Sequence, residues 1–378
     1  MSPLWYTDRS RFMRGFECRW KRLLEYHAFR DGIVGRGLAT PLLTGRYVHS
    51  ALESLLHFVK NNEQAPDIGV VNQLLVKVLQ SYQEQIEKDA AASQDEAATQ
   101  LDLVVGITHA YARVVVPYLK EHFRIVDIER ELSWQLPDSN IIWMARPDFT
   151  AEQLLGGELT THDFKTTSYW NNETGPLQWA NSAQMMANAW AVSQTSSRPL
   201  GPYYMHMLVK GNAKYPNLLT HAFYRPGNPP LVKEEWQANY TRQKGFSRVR
   251  IAAYRNLPEW IWEADTKALG EKLPVVGPYP AHQTTCASFF RGVVVEEKWW
   301  QEQTEFLDGV DWNFEWPRPE FQKELDEHFP RTYACHDFSG RKCQFYSLCH
   351  KQPGWVDPLA VGSHLRRTLN HPQEGGKK

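Results

Sequence analysis

The sequence predicts an α/β protein: a mixed β-sheet flanked by helices, with a helical N-terminal region and a loop-rich, cysteine-bearing C-terminal segment. Three observations carry that expectation. Apolar residues recur at helical spacing through most of residues 9–122. Short alternating or continuously apolar runs replace them between 124 and 165, as in strands. Helical periodicity returns at Trp179–Val192 and over 232–256. With 42% hydrophobic and 22% charged residues, the 378-residue chain can form a core, which excludes a largely disordered protein.

Residues 9–30 place Phe12, Phe16, Trp20, Leu23 and Leu24 on one helical face. The polar side is basic, since residues 9–36 hold eight Lys or Arg against three acids. A second helix spans about 45–60, with Leu52, Leu55, Leu56 and Val59 on its apolar side. Two more helices fit 68–88 and 99–122, joined by an exposed Ala/Gln/Asp stretch. Strands are expected over 124–136, 140–150 and 158–165, with a turn at Leu154–Gly157, and again at 203–210 and 219–224. The helix over 232–256 ends in Arg242, Lys244, Arg248, Arg250 and Arg255. Residues 295–329 reverse the sign, with eleven acids and three bases among four tryptophans, as a solvated face around an aromatic cluster would have.

The pattern divides one domain over 1–350 into a helical region (1–123), a sheet-and-helix core (124–230) and a helical, cysteine-bearing region (231–350). A tail over 351–378, rich in Pro, Gly, His and Lys, is expected to be mobile.

Net charge is −1, from 42 basic and 43 acidic residues. That excludes a uniformly basic nucleic-acid binder but leaves room for a local basic stripe. Arg19 and Arg22 on the first helix, with Arg248 and Arg250 on the later one, are the candidate phosphate contacts. No apolar run approaches the roughly 18–20 residues that a membrane helix needs. The first twenty residues lack the apolar core of a signal peptide, and five cysteines are too few for a disulfide scaffold. A cytoplasmic protein is the expectation; oligomeric state is not legible.

The segment richest in chemistry is Arg146-Pro147-Asp148 followed by His162-Asp163-Phe164-Lys165. Asp163 and Lys165 are two residues apart on one strand and so share a face, while His162 faces the other way. An adjacent strand can bring Asp148 beside them. Two carboxylates suit a hard divalent cation such as Mg²⁺, and a lysine suits an attacking water or a charged phosphate. Strand-end salt bridging is the plain alternative. Upstream, Gly45-Arg46-Tyr47-Val48-His49 opens a helix; downstream, Gln184 lies on the helix that follows the strands.

The order G-x-x-x-H, P-D, D-x-K and a helical Gln resembles the PD-(D/E)xK nuclease superfamily. The likeness is to its RecB-like exonuclease branch, which includes CRISPR-associated and phage members. It spans residues 18–190 in motifs, and reaches 349 with the cysteines. It implies a metal-dependent DNA nuclease in which His49, Asp148 and Asp163 bind Mg²⁺ or Mn²⁺. Lys165 and Gln184 would complete the catalytic set. Where the family's final motif has Tyr, this chain has Asn188. Glu129 or Glu131 could add an acid, although a surface salt bridge is the commoner fate of each.

Cys335, Cys343 and Cys349 form a compact run that suits a soft or borderline metal, given a fourth ligand. Several RecB-like nucleases hold a 4Fe-4S cluster with one cysteine ahead of G-x-x-x-H and three near the C-terminus. Cys18 and this trio resemble that set, though the seven-residue interval after Cys335 is longer than the family's. Zn²⁺ and free thiols stay open; a cluster would staple the first helix to the C-terminal segment. Cys286 reads as an ordinary buried thiol. Against the nuclease reading stands a non-catalytic, metal-stapled DNA-binding or assembly protein on the same scaffold. A nucleotide enzyme of the phosphate-loop kind lacks its G-x-x-x-x-G-K-[ST] motif here.

Overall fold

The structure, a computed structural model, describes residues 3–28, 32–35, 40–88, 94–167, 179–180, 182–209, 275–315, 318–329, 343, 345 and 364–366. The expected strand at 219–224 and helix at 232–256, with Arg248 and Arg250, lie outside the described residues. So do Cys335 and Cys349. The first elements are β1 (Trp5–Asp8), α1 (Arg9–Glu17), α2 (Arg19–Arg22) and β2 (Ile33–Gly35). Three long helices follow: α3 (Thr40–Asn61), α4 (Ile68–Lys88) and α5 (Gln94–His122). Then come β3 (Phe123–Ile128), β4 (Leu132–Gln135), β5 (Ile141–Ala145), β6 (Phe149–Gln153) and β7 (Leu159–Thr167). After them lie α6 (Ala183–Ser196), β8 (Tyr203–Val209), β9 (Val275–Tyr279) and α7 (Gln283–Asp308). The last are α8 (Trp312–Glu315), α9 (Pro319–His328) and β10 (His364–Arg366). The chain is therefore α/β with mixed sheets. No helix among the described residues is long and apolar enough to cross a membrane.

The chain divides into two compact units, each assembled from distant stretches of sequence. One contains Met1–Leu38, Ser133–Ala145 and Ala287–Lys378; the other contains Ala39–Leu132 and Arg146–Cys286.

In the first unit, β1 pairs in parallel with β5, and β4 completes that sheet. The single helix expected over 9–30 is broken. Asp8 caps α1 by accepting the Arg11 amide at 2.8 Å, which satisfies an otherwise orphaned donor. The helix then stops at Cys18, whose backbone is extended (φ −166°, ψ 116°). Across the break the Cys18 amide still donates to the Arg14 carbonyl at 3.0 Å, and its own carbonyl accepts from the Arg22 amide at 3.1 Å. A π-helical turn, Leu23–His27, follows α2. Gly15 permits the close packing here, since a Cβ at that position would sit 3.0 Å from both Arg22 Cδ and Trp300 Nε1. The core includes Cys18, Trp20, Leu23, Trp300, Leu325 and Phe329. Trp300 and Trp312 of the acidic stretch are thus core residues, as expected for an aromatic cluster under a charged face. Residues 364–366 of the expected mobile tail form a strand, because β2 offers an antiparallel partner that satisfies their backbone.

The second unit is built on a five-stranded sheet, β3-β6-β7-β8-β9, in which only β7 and β8 run parallel. A parallel pair needs a crossover, and α6 lies between β7 and β8 in sequence. Helices α3, α4 and α5 cover one face, burying Leu52, Leu56, Tyr111 and Val115 in one core with Phe149 and Phe164. Helix α6 covers the other, where Met185, Met186 and Ala189 meet Tyr203, Met205 and Met207. Helix α3 starts five residues before its expected first turn; Pro41 is tolerated there, since first-turn amides have no intrahelical acceptor.

Candidate functional site

The sheet unit brings the motif residues together. His49 projects from α3, Asp148 sits immediately before β6, Asp163 and Lys165 lie on β7, and Gln184 lies in the first turn of α6. The α6 start is set by Ser182, whose side chain caps the Met185 amide. Strand alternation works as expected. The Lys165 ammonium bonds the Asp163 carboxylate, and Gln184 Nε2 donates to both Asp163 oxygens at 3.2 Å from the α6 side. Asn188, one turn after Gln184, is buried on the same helix.

On the helix side, His49 Nδ1 meets Asp148 Oδ1 at 3.0 Å, and the Phe164 amide donates to the other Asp148 oxygen. The Phe164 ring meets the His49 ring edge-on, fixing its tilt. Glu129 joins them. Its backbone turns through the left-handed region (φ 48°), where a non-glycine residue is strained, and its amide donates to the Asp148 carbonyl at 2.9 Å. That turn gathers His49, Glu129 and Asp148 so that one ligand atom from each lies within 4.8 Å of the others.

Among the described residues, the group placed so that it could hold an ion is His49, Glu129 and Asp148. Asp163, the third ligand expected with His49 and Asp148, is held by Lys165 and Gln184. The rival salt-bridge role of Glu129 is also real, since Arg146 Nε lies 3.0 Å from its Oε2. Glu131 is exposed. Two acids in the local Ile-Glu-Arg-Glu sequence were indistinguishable; the left-handed turn chooses between them.

Burial and like charge together perturb the cluster. Burial and then the Asp148 charge push the Glu129 carboxyl up to about 7, against the pull of Arg146. Burial and the Asp148 charge likewise push Asp163 up to about 7, against Lys165 and His49. Burial also works to raise Asp148, but the His49 hydrogen bond and charge outweigh it and hold that carboxyl low. Burial works to lower His49, and Asp148 and Asp163 reverse the sign, so its imidazole is raised.

The residues fit a divalent cation. Adjacent ligands of an octahedral ion at about 2.0–2.1 Å lie about 2.9 Å apart, close to the 3.0 Å between His49 Nδ1 and Asp148 Oδ1. The donors are two carboxylates and an imidazole, and the Glu129 carboxyl, raised by burial and by the Asp148 charge, is relieved by a positive charge.

The reverse face of β7 carries a second set. Thr160 donates to the Ala151 carbonyl at 2.8 Å, so its oxygen accepts from His162 Nε2 at 2.8 Å. His162 Nδ1 then accepts from His206 Nε2 at 3.0 Å, and His206 Nδ1 accepts from the Tyr111 hydroxyl at 3.0 Å. Each ring is neutral and protonated on Nε2. Burial holds His162 well below its ordinary value and takes His206 to about 3. His162, which faces away from Asp163 as expected, stacks between Phe149 and Tyr204.

The two phosphate contacts expected in the first unit, Arg19 and Arg22, both have acidic partners within the protein. Arg22 is fully buried, with Nη1 and Nη2 at 2.7 and 2.6 Å from the two Glu297 oxygens and its guanidinium over Trp300. It has no surface to offer a phosphate. Arg19 bonds Glu296 at 3.1 Å and lies 3.7 Å over the Trp299 ring. Cys18 is buried, and Cys343 packs against the same core. Comparison of the chain with protein-family models and with curated proteins finds no match.

Proposed function

We propose that this chain is a divalent-metal-dependent deoxyribonuclease with a PD-(D/E)xK type of site, acting as an exonuclease. The observation that carries the reading is the convergence of His49, Glu129 and Asp148 with Asp163, Lys165 and Gln184 from separate segments onto one end of a mixed sheet. A salt bridge would need two of these groups; six, with two carboxyls raised to about 7, have the character of a catalytic centre.

His49, Glu129 and Asp148 would hold Mg²⁺ or Mn²⁺, with Asp163 the further oxygen donor beside them. Such an ion would supply charge to polarise the phosphodiester and acidify a bound water. His49 orients Asp148, and the Phe164 amide fixes the second oxygen of that carboxylate. Gln184 holds Asp163 in place. Lys165 carries the positive charge that positions the attacking water and balances charge building on the phosphorus.

The test is cleavage of linear, circular and single-stranded DNA in Mg²⁺ or Mn²⁺. Loss of linear but not circular substrate is expected. Asp148→Asn and Lys165→Ala should each lower the rate by about a hundredfold or more. Full activity in either variant sinks the mechanism, and a wild type inert on all three substrates returns the chain to the binding-protein class.

The cysteine proposal is separate. Cys18, Cys335, Cys343 and Cys349 would bind a structural 4Fe-4S cluster, with Zn²⁺ as the alternative. The shared core of Cys18 and Cys343 supports it. Anaerobically purified protein should be brown with about four irons per chain; a colourless, zinc-bound protein overturns the cluster and leaves the nuclease site untouched.

A further inference from the structure

Arg146 stands at the edge of the acid cluster with most of its chemistry unused. Its Nε lies 3.0 Å from Glu129 Oε2, on the carboxylate grouped with His49 and Asp148. This is its one ion pair among the described residues, and its side chain is 60% exposed. One edge of the guanidinium is thus committed to Glu129, while the rest faces water. A cation entering the trio and the guanidinium carry the same sign and draw on the same carboxylate, so they compete. Arg146 also cannot stray far, because Asp148, two residues on, is tied to Glu129 by the 2.9 Å backbone hydrogen bond.

We propose that Arg146 is a metal-linked phosphate contact. It neutralises Glu129 while the trio lacks a cation, and it turns its guanidinium to a DNA backbone phosphate once a cation takes that carboxylate. This rests on the nuclease reading and adds a substrate-binding residue to it. The planar guanidinium fork matches two phosphate oxygens, which a lysine at the same place would not. Linkage follows: cation and DNA favour each other's binding because each removes one of the two partners that otherwise hold each other.

The two halves of the proposal predict opposite signs. Mn²⁺ is titrated calorimetrically into the full-length chain without DNA. Binding of a short linear duplex is then measured in Ca²⁺ over a range of salt. Arg146→Gln should bind Mn²⁺ about two- to fivefold more tightly, the range for release of an exposed ion pair. It should bind the duplex more weakly, with the slope of log affinity against log salt shallower by about 0.9, one phosphate contact. Arg124→Gln is the control. It removes the same charge from an exposed pair with Glu152 and should change neither quantity. Equal or weaker Mn²⁺ binding by Arg146→Gln, or an unchanged salt slope, overturns the role of Arg146. If the wild type binds both Mn²⁺ and DNA while the variant shifts neither, that role alone fails. A wild type that binds no DNA at any salt overturns the nuclease reading and this inference with it.

Discussion

The two units bury charge in opposite ways. In the first, Arg22 and Glu297 are both fully buried and meet through two parallel hydrogen bonds, with Trp5 Nε1 adding a third to Glu297 at 2.8 Å. Every charge has its counter-charge, and the pair joins α2 to α7. In the second, Glu129, Asp148 and Asp163 crowd one another, and burial and then the Asp148 charge push two of them up to about 7 against their basic partners. A buried pair that is complete does structural work. A buried cluster whose carboxyls are raised by burial and like charge, even with basic partners beside them, has the character of a functional site. The neutral sum of the whole chain conceals both.

The largest expected effect breaks the first half of that comparison. Arg22→Met leaves Glu297 ionised and unpaired in the core, which should cost about 3–5 kcal/mol in urea denaturation. The double variant Arg22→Met, Glu297→Leu should recover most of the loss, since two apolar side chains replace a pair whose desolvation was expensive. A single variant as stable as the wild type means that Glu297 reaches water or protonates, and the pair is not the staple described.

The second effect has the opposite sign and belongs to the sheet unit. Asp163 has a folded value of about 7, well above its ordinary 3.8. The folded state therefore holds a proton that the unfolded state has released. Stability from this group is full below about pH 4, and is lost as pH rises through about 7. Asp163→Asn should then stabilise the protein by about 1–3 kcal/mol at pH 8 in chelator, and leave it unchanged at pH 4. Activity should disappear at the same time. A variant destabilised at pH 8 would show that Lys165 satisfies Asp163 fully, and the two units would then bury charge by the same rule.

Legibility followed whether a residue belonged to a recognisable motif. Strand alternation put Asp163 and Lys165 on one face, and the family resemblance added His49, Asp148 and Gln184 to them by the order of its motifs. Glu129 could not be placed in either way, since its position depends on a left-handed turn that no glycine announces. Arg22 was misread for a related reason. Its neighbours in sequence are basic, and its true partner is 275 residues away. The helix break at Cys18 and the parallel pairing of β1 with β5 are likewise settled by tertiary partners, which local periodicity does not encode. The α/β class was legible because it needs only the change of period near residue 123.

A third way of burying polar groups gives the smallest effect, and it tests whether the crowding at the acids is special to them. The relay behind β7 buries His206 as a neutral ring with a value of about 3, far below the ordinary 6.5. His109, whose Nε2 meets Asn72 at 2.9 Å, is also lowered to about 3. Below pH 6.5 the unfolded chain takes up protons that these folded rings refuse. Stability is thus full above pH 6.5 and falls as pH drops towards 3, by up to about 1.4 kcal/mol per pH unit for each ring. His206→Gln should remove one ring's share of the slope between pH 6.5 and 5, while lowering stability at pH 8 through the lost hydrogen bonds to Tyr111 and His162. An unaltered slope would mean that His206 accepts a proton when folded. The directional chain from Tyr111 to Thr160 would then be broken, because an imidazolium has no lone pair to accept the tyrosine hydroxyl. If the slope does fall, the relay is neutral throughout. The crowded charge of the second unit is then confined to the face of β7 that carries Asp163 and to the trio beside it.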